Sequence, residues 1–174
     1  MVTLVLGGVR SGKSRYAQSE AARFSRVTFV ATAKRSDAEM RRKIAAHRRE
    51  RPKGWKTVEA SAGALDGVIR REGQKVEVLL VDCLTTYCGG LLSQRRSESG
   101  RRGHVEALVD AIRSTPASLL IVSNEVGSGV VPAFKSGRAF RDLLGELNQQ
   151  VARVADRVVL LVAGIPIALK GSLS

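Results

Sequence analysis

The eight residues GGVRSGKS, Gly7–Ser14, fit the spacing G-x-x-x-x-G-K-[ST] and follow directly on the apolar run VTLVL. Glycines permit the backbone conformations in which successive N–H groups turn toward phosphate oxygens. Here the turning stretch is Gly7, Gly8, Val9, Arg10, Ser11 and Gly12. A helix starting behind it adds further N–H donors and a favourable dipole. Lys13 is then placed for the β- and γ-phosphates of a nucleotide, and the Ser14 hydroxyl for Mg²⁺. The chemistry expected is nucleoside triphosphate binding.

Two further positions could join it. The run VLLVD ends on Asp82, and a carboxylate closing a central strand can hold Mg²⁺ directly or through water. A strand-end cap is the plainer alternative. The second position is His47, one of only two histidines, in the stretch KIAAHRRERPKGW. Arg48, Arg49 and Arg51 follow it, with Glu50 between them. A neutral imidazole is a good nucleophile near pH 7. Positive charge nearby lowers its pKa and stabilises charge developing on phosphoryl oxygens. Yet Met40, Ile44 and His47 also fall at helical spacing, so His47 could edge an apolar face and the arginines a solvated one. This window alone leaves both readings open.

The elements that must carry these residues follow from hydropathy. Val2–Leu6, Val27–Ala31, Val76–Asp82, Ser118–Ser123 and Arg157–Ala163 are near-continuously apolar, as in strands covered on both faces. Helical spacing marks Ser14–Phe24, Asp37–Arg51, Ala62–Glu72, Val105–Arg113 and Arg138–Ala155. The alternation predicts an α/β fold: a single P-loop NTPase-like domain over residues 1–174, with a mainly parallel central sheet flanked by helices. IPIALKG could add a short edge strand. Ser93–His104, rich in Ser, Gly and Arg, reads as a mobile surface loop with His104 exposed at its end.

The 29 Lys and Arg against 16 Asp and Glu give a net charge of +13, which favours anionic partners without choosing among them. Aromatic residues make up only 4%, which argues against a base-stacking nucleic-acid platform. The opening apolar run is too short for a signal peptide, and no run reaches the roughly 20 residues of a membrane span. Cys83 and Cys88 have no zinc-ligand spacing with the histidines and are expected as reduced, partly buried thiols. The expected compartment is the cytoplasm.

The remaining landmarks are ATAKRSDAEMRRKIAAHRRERPKGWKTVEA, LLVDCLTTYCGGLL, VSNEVGSGVVP, RAFRDLLGELNQQVARVADRV and VAGIPIALK. In this order and spacing, from Leu6 to Lys170, they resemble the bifunctional adenosylcobinamide kinase/adenosylcobinamide-phosphate guanylyltransferase family of cobalamin assembly. NEVGSGVVP with FRDLLGELNQ is far more specific than the phosphate loop. The resemblance implies phosphorylation of adenosylcobinamide by ATP or GTP. It also implies transfer of GMP from GTP to adenosylcobinamide phosphate through a guanylylated histidine, at the motif position of His47. Thr32, Ala33 and Lys34 are implied beside the nucleotide, and the segment Arg48, Arg49, Glu50, Arg51 with Glu59 in contact with guanosine nucleotide. A homotrimer is implied as well.

Asn124 and Glu125, beyond the fourth strand, are expected to shape the corrinoid or Mg²⁺ side of the site. Either Asp82 or Glu125 could orient the substrate hydroxyl. One departure stands out: Gly89-Gly90 replaces the bulky residue and Asn that the family often carries, which should loosen a helix there. A P-loop kinase of another small alcohol, or a basic nucleic-acid-binding ATPase, are the competing readings.

Overall fold

The computed structural model describes residues 1–32, 52, 54–94 and 97–173. Its seven strands are β1 (Val2–Gly7), β2 (Val27–Ala31), β3 (Lys56–Glu59), β4 (Val78–Asp82), β5 (Ser118–Asn124), β6 (Arg157–Val162) and β7 (Ile165–Lys170). The described helices are α1 (Lys13–Ala21), α2 (Leu65–Gly73), α3 (Leu84–Ser93), α4 (Glu98–Ser114) and α5 (Lys135–Val154). They surround one sheet in the order β3-β2-β4-β5-β1-β6-β7. Every pairing is parallel except the β6–β7 hairpin. None of the described helices is long and apolar enough to cross a membrane.

The continuous apolar runs now have their cause. Alternate residues of each central strand feed separate cores. Leu4, Leu79, Val81, Leu119 and Ile121 pack with α2, α3, α4 and α5. Val5, Val78, Leu80, Leu120 and Val122 pack on the opposite face with Ala17 and Ala21 of α1. A strand buried on both faces can spare no polar position, so the period-two alternation of a half-exposed strand is lost.

Three expectations change. Strand β3 was not anticipated. Its four residues KTVE carry little apolar signal, and it forms by pairing Thr28–Ala31 of β2 with Lys56–Glu59. The expected loop Ser93–His104 is largely helix: Ser97 accepts a hydrogen bond from Gly100 N at 3.1 Å, an N-cap that starts α4 at Glu98. Arg102 then pairs with Glu98 one turn back. His104 is therefore helical and half-buried, and its carbonyl accepts from Tyr87 Oη at 3.1 Å. Finally, Gly89 and Gly90 lie inside α3. A Cβ on Gly90 would stand 2.6 Å from that of Ala62, so the glycine lets the segment before α2 pack directly on the helix. Both cysteines are free thiols; Cys88 is buried and Cys83 half-buried. The expected helix Asp37–Arg51 lies outside the described residues.

Candidate nucleotide site

Strand β1 delivers the phosphate loop to the C-terminal edge of the sheet, where α1 begins. Arg10 and Gly12 take left-handed backbone conformations, with φ of 58° and 93°. These reversals fold Gly8–Ser11 into a tight turn closed by Ser11 N to Gly8 O at 3.3 Å. Gly8, Val9 and Arg10 are exposed. No side chain caps the N-terminus of α1, and its first turn holds no acidic residue. Uncapped N–H groups at a helix start, beside an exposed loop of further amides, form a positive cradle for an anion.

Lys13 Nζ folds back onto Gly8 O at 3.0 Å. Burial lowers its pKa from the usual lysine value, while the charges of Cys83 and Asp82 pull it the other way. The ammonium therefore sits within electrostatic reach of the β4 terminus. Asp82 pairs in register with Val122, and Val122 with Val5. The carboxylate thus lies two strands across from the loop and about level with its root. No described residue donates a hydrogen bond to it. A half-exposed serine hydroxyl at the helix start and a carboxylate without protein donors are hard oxygen groups of the kind Mg²⁺ takes alongside substrate phosphates. Among the described residues no group of three or more His, Cys, Asp or Glu that could hold a metal ion is present.

The surrounding supports were not visible in the sequence. Gly164 N, in the β6–β7 turn, donates to Ser11 O at 2.9 Å and props the loop from below. A Cβ on Gly12 would stand 3.3 Å from Gly164 Cα, so two glycines permit this approach. Asn124 N donates to Thr85 Oγ1 at 3.1 Å, and Asn148 Nδ2 to Asn124 O at 3.0 Å. Ser123 Oγ donates to Asn148 Oδ1 at 2.7 Å, tying α5 to the end of β5. Glu125 N reaches Gly7 O at 3.2 Å, while Glu125 Oε1 accepts from Gly127 N at 2.6 Å. The buried Asn124 Oδ1 and Ser11 Oγ have no partner among the described residues. Local spacing could not reveal these ties, most of which join residues far apart in the chain.

The residues expected at the site divide into groups. Gly7–Ser14, Asp82, Asn124 and Glu125 come together at one sheet edge. Thr32 follows β2 at that edge, but its side chain is buried and turned toward Cys83 and Thr86. Glu59 is exposed at the end of β3, four strand spacings from β1, or about 19 Å along the edge. Ala33, Lys34, His47, Arg48, Arg49, Glu50 and Arg51 lie outside the described residues.

Sheet, loop and helix together define an α/β protein of the P-loop NTPase type. At the level of fold, the chain is similar to the KaiC-like protein PH0186 of Pyrococcus horikoshii, with a TM-score of 0.51 at 13% identity, covering 91% of this chain and 69% of that one. It is similar too to an ATPase of a bacterial type III secretion system, with a TM-score of 0.58 at 11% identity over 96% and 56% of the two chains. Sequence carries the assignment further. The family model "Cobinamide kinase / cobinamide phosphate guanyltransferase" matches residues 3–169, and the chain belongs to that family. It is 42% identical over 174 residues to the bifunctional adenosylcobalamin biosynthesis protein CobP of Pseudomonas aeruginosa, covering 98% of each chain. To the bifunctional adenosylcobalamin biosynthesis proteins CobU of Escherichia coli and Salmonella typhimurium it is 37% and 35% identical, over 98% of this chain and 100% of each relative.

Proposed function

We propose that this chain catalyses both reactions in its family's name: phosphorylation of adenosylcobinamide, then transfer of GMP from GTP to the phosphate so formed. The observation that carries the proposal is the phosphate loop set against Asp82 at one sheet edge, within a chain that matches the family over residues 3–169.

In the kinase step the γ-phosphoryl group of ATP or GTP passes to the aminopropanol hydroxyl, ADP or GDP leaves, and the hydroxyl proton goes to a base. The uncapped start of α1 and the loop amides hold the phosphates, and Lys13 meets the charge that grows on the β–γ bridge. Mg²⁺, when bound, neutralises phosphate charge; Ser14 and Asp82 are the residues that would hold it. Asp82 is the better candidate to orient the hydroxyl, because Glu125 already accepts from Gly127 N.

In the second step a neutral nitrogen of His47 attacks the α-phosphorus of GTP and pyrophosphate leaves. An oxygen of adenosylcobinamide phosphate then attacks the same phosphorus, the P–N bond breaks, and adenosylcobinamide-GDP is released with His47 restored. Arg48 and Arg51 support the phosphoryl oxygens. Ala33 and Lys34 lie beside the nucleotide, and Arg49, Glu50 and Glu59 belong to the guanosine contacts. We extend the proposal to a cytoplasmic homotrimer acting on these small molecules and not on nucleic acid.

Incubation with Mg²⁺ and GTP labelled at the α-phosphorus, followed by denaturation, tests the reading. Label retained on the protein, acid-labile, base-stable and absent from His47→Ala, is the expected result. A chain that phosphorylates but never retains label would be a kinase of the plainer kind.

A further inference from the structure

Thr32 sits at the C-terminal end of β2, immediately before the segment that carries His47, and is only 4% exposed. Its hydroxyl faces the chain that follows Asp82 and not the open edge of the sheet. Thr32 Oγ1 accepts from Cys83 N at 2.8 Å and donates to Cys83 O at 2.6 Å. Its backbone N donates to Asp82 O at 3.2 Å. Thr86, one turn into α3, brings a second hydroxyl, which contacts Thr32 Oγ1 and lies 3.0 Å from Cys83 O. Two hydroxyl protons are thus shared between one carbonyl and the two hydroxyl oxygens. The peptide unit that follows the Asp82 side chain is thus held from Thr32 at both its carbonyl and its N–H, by bonds spanning about fifty positions of sequence.

A buried threonine beside a strand end could satisfy itself on its own backbone. Here the hydroxyl bonds instead to both backbone groups of Cys83, the residue after the strand-end carboxylate, and contacts Thr86. We propose that Thr32 is a positioning residue. It holds the Asp82 carboxylate at the divalent-ion side of the nucleotide site by clamping the Asp82–Cys83 backbone, and its side chain does not touch nucleotide. The inference rests on the reading of Asp82 as an ion-holding group. It links the two halves of the proposed chemistry, since the residue that fixes Asp82 is also the root of the His47 segment. Within the side chain, the hydroxyl alone makes the clamp.

Thr32→Val keeps the shape and removes the hydroxyl, whereas Thr32→Ser keeps the hydroxyl. Mn²⁺ binding to the full-length protein with a non-hydrolysable GTP analogue, followed by electron paramagnetic resonance, reads the ion site without turnover. T32V is expected to weaken Mn²⁺ about tenfold and to raise the Mg²⁺ needed for half-maximal self-guanylylation by a similar factor. Affinity for the analogue without divalent ion should stay within about twofold, because the side chain makes no nucleotide contact. T32S should return Mn²⁺ binding to within about threefold of the parent, because the clamp is a hydroxyl property. Loss of metal-free nucleotide affinity in T32V, unchanged Mn²⁺ binding, or a T32S variant as weak as T32V would each overturn the clamp. Should T32V fail to fold, Thr86→Val carries the test: a smaller weakening of Mn²⁺ supports the clamp and no change overturns it. Asp82→Asn separates the two readings. If it leaves Mn²⁺ binding intact, the ion assignment falls and the clamp with it; if it abolishes binding while T32V does not, the clamp alone falls.

Discussion

At the N-terminal edge of the sheet, Arg157 donates to Glu20 at 2.7 Å and to Thr3 Oγ1 at 3.2 Å. Asp156 accepts from Val2 N at 2.7 Å, and Glu77 accepts from both Ser25 N and Arg26 N. Glu72, at the end of α2, gathers Lys56, Arg71 and Lys75 around one buried carboxylate. At the C-terminal edge the order is reversed. Among the described residues Lys13 has one hydrogen bond, to a loop carbonyl, and Asp82 has no donor. Polar groups that satisfy each other stabilise a fold, and groups left open are free for a ligand. The contrast separates the end of the molecule that holds the sheet from the end proposed to bind nucleotide.

Substitutions at the two edges should therefore fail in different assays. The largest effect is expected for Lys13→Ala, which should lower both phosphorylation and self-guanylylation by about a thousandfold or more, some 4 kcal/mol of transition-state stabilisation. Its melting temperature should hold or rise, because a buried ammonium burdens folding while it is charged. Activity near the parent's would end the assignment. Next comes Glu20→Gln. Both partners of its ion pair are largely buried, with side-chain exposures of 17% and 9%, so leaving Arg157 without its anion should cost about 3 kcal/mol in urea unfolding. The rate per folded molecule should stay at the parent value, and a selective loss of activity would blur the division of edges.

Glu72→Gln should cost less, about 2 kcal/mol, because its cations are more than half exposed and solvent screens them. The Lys56 ammonium, with Arg71, holds the Glu72 carboxyl down to about 2 against the opposing effect of burial. A folded-state value below the unfolded 4.5 makes the contribution complete above about pH 4.5 and lost as pH falls from there through about 2. Parent and E72Q unfolding curves should thus converge in acid, and a constant gap down to pH 2 would refute the charge argument. The smallest effect is expected of Gly12→Ala, about 1 to 2 kcal/mol of stability from a side chain forced to φ 93°. That change should also weaken nucleotide binding measurably by calorimetry, since Gly12 belongs to the loop itself.

Much of the candidate nucleotide edge was legible along the chain, for a physical reason. A phosphate loop is a local device: glycine backbones, a lysine and a helix start within eight residues. The run into Asp82 is likewise local, since a doubly covered strand must be apolar throughout and its polar end stands out. Elsewhere local signals misled. SQRRSESGRRGH looked like loop because nothing apolar anchors it, yet Ser97 caps a helix whose anchors, Val105, Leu108 and Ile112, lie beyond that stretch. The two glycines of α3 looked like a weakness until Ala62 was found against Gly90.

The amino-acid sequence by itself determined the class of chemistry, the two-faced strands and the position of the phosphate loop, because each depends on residues within one element. Only the tertiary structure decided that KTVE joins the sheet, that Arg157 meets Glu20 across 137 positions, and that Thr32 turns inward to hold the backbone beside Asp82. Those outcomes depend on which segments the sheet order β3-β2-β4-β5-β1-β6-β7 makes neighbours. A hydroxyl has no preferred partner until packing supplies one.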